Sequence, residues 1–478
     1  MRSIGAGLAY TLASNYTVRF VNLGITIVVA RMVGPAGMGI VAAALLAVEI
    51  IDSFRDFGLR HALIYQPDLS PAYTNAAYWV ILIVATLQAL SLLGMAGFAD
   101  PPELHVILTW LAPVFLLSAL AAPHEALLER AGLFWRRSLA EIAGVAVKAV
   151  ITLGLLWWGW GIDSVAAGIV AGIAVRSFTL WQMSDWRPSR SPPKRPHIAS
   201  LLSYGWHIIA VNIMGLCRLR VDQLAILAFL GPVALGSYFL AVRIPEMAIF
   251  GVNVAISTVA FPILARVVRQ NGPLADAYLN TVRGSLVLMA PVSVGLLVTG
   301  DQIVLSLFNA QWQEAGSVLA ILALGGIPLT LGWSVGDVFK AMGRPELLTR
   351  LTLIEVLVAS PLITAVAILT FDLRWIAATV VCVEVASCVL RLAYLSRCCQ
   401  ISARRTVAAV VPILLCASAM GGGVMALSQM TTPLDPSLRL ALSVLWGGIL
   451  YAGLILTLDR ASLAEVKGLL ATRSADKI

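Results

Sequence analysis

The chain has 478 residues, 59% of them hydrophobic and 12% charged, with 33 Lys and Arg against 25 Asp and Glu for a formal net charge of +8. A mean hydropathy of +0.90 argues against a soluble globular domain, because apolar stretches long enough to cross a ~30 Å hydrocarbon core as helices recur from end to end. The basic excess lies on many separated connections rather than along one stripe, which argues against a nucleic-acid binder.

In chain order the pattern predicts fourteen spans, with ends good to a few residues: 10–31, 37–61, 74–97, 105–123, 138–160, 163–184, 203–229, 234–262, 282–299, 315–340, 347–371, 374–396, 406–429 and 438–458. Alternate connections are basic, as in Arg130, Arg136 and Arg137, then Arg187, Arg190, Lys194 and Arg195, then Arg266 and Arg269, Arg344, and Arg397, Arg404 and Arg405. The opposite connections carry Asp100, Glu103, Asp163, Asp301 and Glu314. By the positive-inside rule the basic set is cytoplasmic, and an even number of spans puts both termini there. Trp157, Trp158 and Trp160 then close the fifth span at the outer interface. Met1 and Arg2 precede a first span interrupted by polar residues, which predicts an inserted anchor rather than a cleaved leader. The six cysteines fall in spans or on the inner side without a CxxC pair, which predicts reduced, packed thiols.

Two halves are legible. Asn15, Gly34, Pro35 and Gly39 recur as Asn212, Gly231, Pro232 and Gly236, all at an offset of 197, and Arg136 and Glu141 recur as Arg350 and Glu355 at an offset of 214. The expected fold is an all-α polytopic membrane protein: two parallel six-helix repeats plus two C-terminal helices. The expected divisions are an N-lobe over 1–184, a Pro- and Arg-rich linker over 185–200, a C-lobe over 201–396, spans 13 and 14 over 397–458, and a cytoplasmic tail over 459–478. Parallel repeats of this kind place a binding site between the halves and suit alternating access.

Ionisable groups inside spans are costly and must meet a partner or water. Span one places Asn15, Arg19, Asn22 and Thr26 on one helical face, and span two carries Glu49, Asp52, Asp56 and Arg60 with Arg55 beside them. Span seven aligns His207, Arg218 and Asp222, with Arg220 off that sector, and span eight carries Arg243, Glu246, Asn253 and Ser257. Mutual pairing of Arg55 with Asp52, Arg220 with Asp222 and Arg243 with Glu246 is one reading. It leaves Arg19, which has no acidic residue in its own span. The other reading is a hydrated cationic cavity in which Asn15, Arg19, Asn22, Arg60, Arg218 and Arg243 receive an anionic head group, guanidinium forks being suited to phosphate oxygens. Glu49, Asp52, Asp222 and Glu246 are candidates for ion or proton coupling. Lys148 and Arg176 read as snorkelling or helix-pairing groups. No Gly-Lys pair, metal-spaced histidines or GxSxG elbow occurs, so no catalytic residue, metal or cofactor is expected and transport fits better than chemistry.

Ala30-Arg31-Met32-Val33-Gly34-Pro35 with Gly37 and Gly39, followed by Asp56-Phe57-Gly58-Leu59, resembles the opening of the polysaccharide-type flippases in the multidrug/oligosaccharidyl-lipid/polysaccharide exporter superfamily. Glu129-Arg130-Ala131-Gly132-Leu133-Phe134-Trp135-Arg136-Arg137 and Leu307-Phe308-Asn309-Ala310-Gln311-Trp312-Gln313-Glu314-Ala315 resemble later segments of that family, with Asn309 standing where a glycine is expected. The resemblance reaches through span twelve. It implies a Wzx-type flippase in the bacterial inner membrane, carrying an undecaprenyl-pyrophosphate-linked oligosaccharide outward for O-antigen, capsule or exopolysaccharide, with polysaccharide polymerase and glycosyltransferases as functional neighbours. The alternatives are a drug/ion antiporter on the same scaffold, or a membrane polymerase or ligase.

Overall fold

The computed structural model describes residues 2–54, 63, 70–189, 195–399 and 401–458, with side chains at 2–13, 195–211 and 403 lying outside that description. The chain divides into two compact units, the first being Met1–Arg220 with Gly231–Gly236 and the second Val221–Leu230 with Ser237–Ile478. Among the described residues every regular element is helical. Helices satisfy their own backbone donors and acceptors, which segments in hydrocarbon must do.

The first unit comprises α1 (Arg2–Asp52), α2 (Pro71–Ala96), α3 (Pro102–Leu111), α4 (Pro113–Arg130), α5 (Phe134–Trp157), α6 (Asp163–Met183) and most of α7 (Arg195–Phe229). Proline opens α2, α3 and α4, where the missing N–H would have no helical partner anyway. α1 is 51 residues long, about twice what one crossing needs, and it is broken at Gly34, whose φ of 75° and ψ of 179° lie outside the helical region. Pro35 starts the second segment. The repeat shows the same device: Gly231 has φ 87° and Pro232 opens α8 (Pro232–Pro245). Within this unit the two elbows meet at glycines. A Cβ on Gly39 would overlap the Pro232 carbonyl, and one on Gly236 would overlap the Pro35 carbonyl.

α5 and α6 pack along a seam of small residues. Gly144, Lys148 and Thr152 on α5 face Gly168, Gly172 and Arg176 on α6, each set spaced by four. A Cβ at Gly144 would lie 2.8 Å from the Gly172 carbonyl oxygen, and one at Gly172 would lie 2.7 Å from that of Gly144. Close backbone approach of this kind supplies contact area where lipid offers no hydrophobic drive. The turn after α5 exposes Trp157 and Trp158, and Trp160 stacks edge-on against Trp110 with ring centroids 6.5 Å apart.

The second unit continues from α8 through a π-helical turn (Glu246–Phe250) into α9 (Gly251–Arg269), α10 (Leu274–Leu307), α11 (Gln313–Ala323), α12 (Gly326–Ala341), α13 (Pro345–Thr370), α14 (Leu373–Cys399), α15 (Ala403–Met430) and α16 (Pro436–Leu458). Its core is bulkier than the alanine-rich first unit, with Tyr278, Phe339 and Ile413 fully buried in one cluster and the Tyr451 hydroxyl donating to the Val287 carbonyl at 3.0 Å.

Each of the fourteen expected spans overlaps a helix. Eleven helices among the described residues are long and apolar enough to cross a membrane, or twelve if the bent pair Ala310–Ala323 and Gly326–Ala341 forms one span. The fourteen differ from these because spans one and two share α1, and the first nine residues of span seven, 203–211, lie where side chains are not described.

Candidate functional site

Both units bury charge, and in both the charge is paired. In the first, Arg137 Nε donates to Glu125 Oε1 at 3.0 Å and its Nη1 meets Glu129 at 2.8 Å, while Arg176 Nη2 reaches Glu125 at 2.7 Å and Glu141 at 3.2 Å. Three carboxylates and two guanidinium groups thus join α4, α5 and α6. In the second unit Glu355 on α13 accepts from Arg391 Nη2 at 2.9 Å and from the Ser387 hydroxyl at 2.8 Å, both on α14. Glu141 and Glu355 are the repeat pair, and both are bridged by an arginine from the following helix. The segment Glu129 to Arg137 also locks its surroundings, since Arg130 Nη1 donates to the Leu63 carbonyl at 3.1 Å and Arg136 Nη1 to the Met183 carbonyl at 2.9 Å.

The polar face of α1 divides in two. Asn22 Oδ1 accepts from Lys148 Nζ at 2.7 Å, so its amide is engaged by α5. Asn15 is exposed, as is Asn212, its counterpart in the repeat. Arg19 is half-buried and makes no hydrogen bond or ion pair among the described residues. Further along α1, Glu49 receives Arg220 Nε on both carboxylate oxygens at 3.0 Å. Glu49 as the Arg220 partner was invisible in sequence, where Asp222 lay nearer. Asp52 and Arg218 are half-buried, and Arg60, Arg55 and Asp56 lie outside the described residues.

In the second unit Asp222 accepts from the Tyr238 hydroxyl and from the Gln223 N–H at 2.8 Å. Arg243 Nη1 pairs with Glu246 at 3.1 Å, and its guanidinium sits 4.3 Å from the Phe239 ring centroid. A stacked, carboxylate-paired arginine with side-chain exposure of 39% still presents donors to a ligand. Asn253 ties the π-helical turn to α12, donating to the Ile249 carbonyl at 3.0 Å and to Thr330 Oγ1 at 3.1 Å. Beside it, Ser257, Trp333, Asp337 and Lys340 line a cleft. Of these, sequence singled out Asn253 and Ser257. Asp337 and Lys340, an acid–base pair three residues apart in an apolar span, were the missed signal. No group of three or more His, Cys, Asp or Glu suited to a metal occurs among the described residues.

These features define a class: a polytopic α-helical membrane protein. The structure is similar to that of the lipid II flippase MurJ in an inward closed conformation, with a TM-score of 0.73 at 12% identity over 94% of this chain and 98% of that one. Residues 28–317, more than half of the chain, match the model of a polysaccharide biosynthesis protein family, and the chain belongs to that family. Among curated relatives, it is 25% identical over 302 residues to the teichuronic acid biosynthesis protein TuaB of Bacillus subtilis (strain 168), covering 61% of this chain and 62% of that one. It is also 25% identical over 328 residues to the succinoglycan biosynthesis transport protein ExoT of Rhizobium meliloti (strain 1021), covering 67% and 66% respectively. The chain thus spans just under two thirds of the length of these two relatives.

Proposed function

We propose that this protein is a flippase that moves an undecaprenyl-pyrophosphate-linked oligosaccharide repeat unit across the bacterial inner membrane by alternating access, for the synthesis of a surface polysaccharide. Family membership, the transport role in the name of one relative and the lipid-linked substrate in the name of the structural neighbour support the reading. In it the N-lobe (1–184) and C-lobe (201–396) are the moving bodies, joined by the 185–200 linker, with both termini cytoplasmic. In this reading glycosyltransferases act before it and a polymerase after it on the same lipid-linked sugars.

The observation that carries the reading is Arg19. A guanidinium half-buried on a membrane-spanning helix, with no acceptor among the described residues, is a group kept for an anion. Arg218 and Arg243 contribute further positive charge, and Arg60 is the fourth member of the set. Asn15 and Asn22 flank Arg19 on the same face. Glu49, Asp52, Asp222 and Glu246 are the groups through which an ion or proton gradient could act. A permanently charged fork binds pyrophosphate bidentately at any physiological pH.

Complementation of a strain lacking its polysaccharide flippase tests this. Arg19→Ala with Arg218→Ala is expected to abolish surface polysaccharide at wild-type protein levels in the membrane, and Arg19→Lys to restore part of it. Unchanged polysaccharide with both arginines replaced would refute the cationic site.

A further inference from the structure

Within the second unit, α9 and α12 flank an open cleft of about 270 Å³. Val254, Ser257, Thr258 and Phe261 line it from α9 and Trp333, Asp337 and Lys340 from α12, each set on one helical face. It is smaller than the ~300–1,000 Å³ of pockets for drug-sized ligands, so it has room for one ring rather than a chain.

Its walls are of two kinds. Trp333, Phe261 and Val254 make the larger, apolar part of the lining, while Asp337, Ser257, Thr258 and Lys340 offer acceptors and donors. Asp337 is 2% exposed, and its carboxylate accepts from the Ser257 hydroxyl and from Lys340 Nζ at 3.2 Å. The cleft is also built before any ligand arrives. Phe250 holds the Trp333 ring edge-on, with centroids 4.9 Å apart and an interplanar angle of 84°. The buried Asn253–Thr330 hydrogen bond pins α9 to α12 one turn away. Preorganisation of this kind lowers the ordering cost of binding.

An acyl or polyprenyl tail suits only the apolar part of these walls, since it would press the exposed Lys340 ammonium against hydrocarbon. A phosphate would meet the Asp337 carboxylate at the bottom of the cleft. A pyranose matches both walls: its C–H face packs against the negative face of an aromatic ring, and its rim of hydroxyls meets carboxylate, hydroxyl and ammonium groups. We infer that this cleft is a monosaccharide subsite that takes one ring of a carbohydrate ligand. The inference rests on the flippase reading for the source of that sugar, the head group of the carried lipid. α9 ends at Arg266 and Arg269, and Arg344 follows α12, so the basic connections put the cleft toward the side from which the head group would enter.

The test uses the full chain in nanodiscs, labelled with 5-fluorotryptophan, with the Trp333 fluorine resonance assigned by its loss in Trp333→Phe. Methyl pyranosides of glucose, galactose, mannose, N-acetylglucosamine and rhamnose are titrated in turn. At least one is expected to shift the Trp333 resonance saturably in the millimolar range. Asp337→Asn should weaken that glycoside by about tenfold or more, the effect of losing a hydrogen bond to a charged group. Ser257→Ala, a smaller change, provides the same test if Asp337→Asn does not fold. A Trp333 resonance indifferent to every glycoside overturns the inference, as does one that moves with inorganic pyrophosphate alone. Translocation of a polyprenyl-pyrophosphate-linked sugar in proteoliposomes is scored separately. Its failure alongside a saturable glycoside shift would overturn the flippase reading and leave the subsite standing.

Discussion

The arginines of this chain do two jobs, and their surroundings tell them apart. Arg391 is 8% exposed and Glu355 7%, so removing one leaves the other as a bare charge in low dielectric. Arg391→Met is expected to lower stability by about 3–5 kcal/mol, read as a fall in apparent Tm in detergent, while adding Glu355→Gln should recover most of the loss. The double variant failing to recover would mean that Arg391 does more than neutralise Glu355. Arg19 sits at the other extreme. With no ionic partner among the described residues, Arg19→Leu should leave thermal stability nearly unchanged while removing transport. That split between folding and activity separates a ligand-binding cation from a structural one.

At the scale of elements, the small-residue seam of α5 and α6 gives a sharp contrast. Gly172→Leu forces a side chain onto the Gly144 carbonyl and is expected to reduce folded protein severely. Gly154→Leu, on the same α5 but with open space around its Cα, should be nearly neutral. Size-exclusion profiles of the two variants make the comparison. The seam was not legible beforehand, because 38 glycines in an apolar chain do not announce which of them face a helix. The Gly-Pro elbows were legible, since the spacing of 197 flagged both and the positive φ values at Gly34 and Gly231 give the physical reason. The second match was half informative. Glu141 and Glu355 share a role, but their arginine partners, Arg176 and Arg391, differ by 215 and so fall one residue out of register. Asp337 was missed for a different reason: its spacing from Lys340 was legible in the span over 315–340, but the Ser257 hydroxyl that completes its surroundings comes from α9.

For the molecule as a whole, the distribution of basic connections makes a topological prediction. The six cysteines make no disulfide, so a cysteine-free background is a mild change. In it, Gly159→Cys, in the tryptophan-rich turn after α5, should react with a membrane-impermeant maleimide in intact cells. Gly132→Cys, between α4 and α5, should react only after permeabilisation. The reverse pattern would invert the orientation of the chain. The sealed pairs described above also bear on where a coupling ion could act in the proposed transport cycle. Glu125, Glu141 and Glu355 already hold guanidinium groups, so a coupling ion would have to displace an arginine to reach them. In the proposed cycle such an ion would act elsewhere, at a carboxylate such as Asp222, which takes the Tyr238 hydroxyl and the Gln223 N–H.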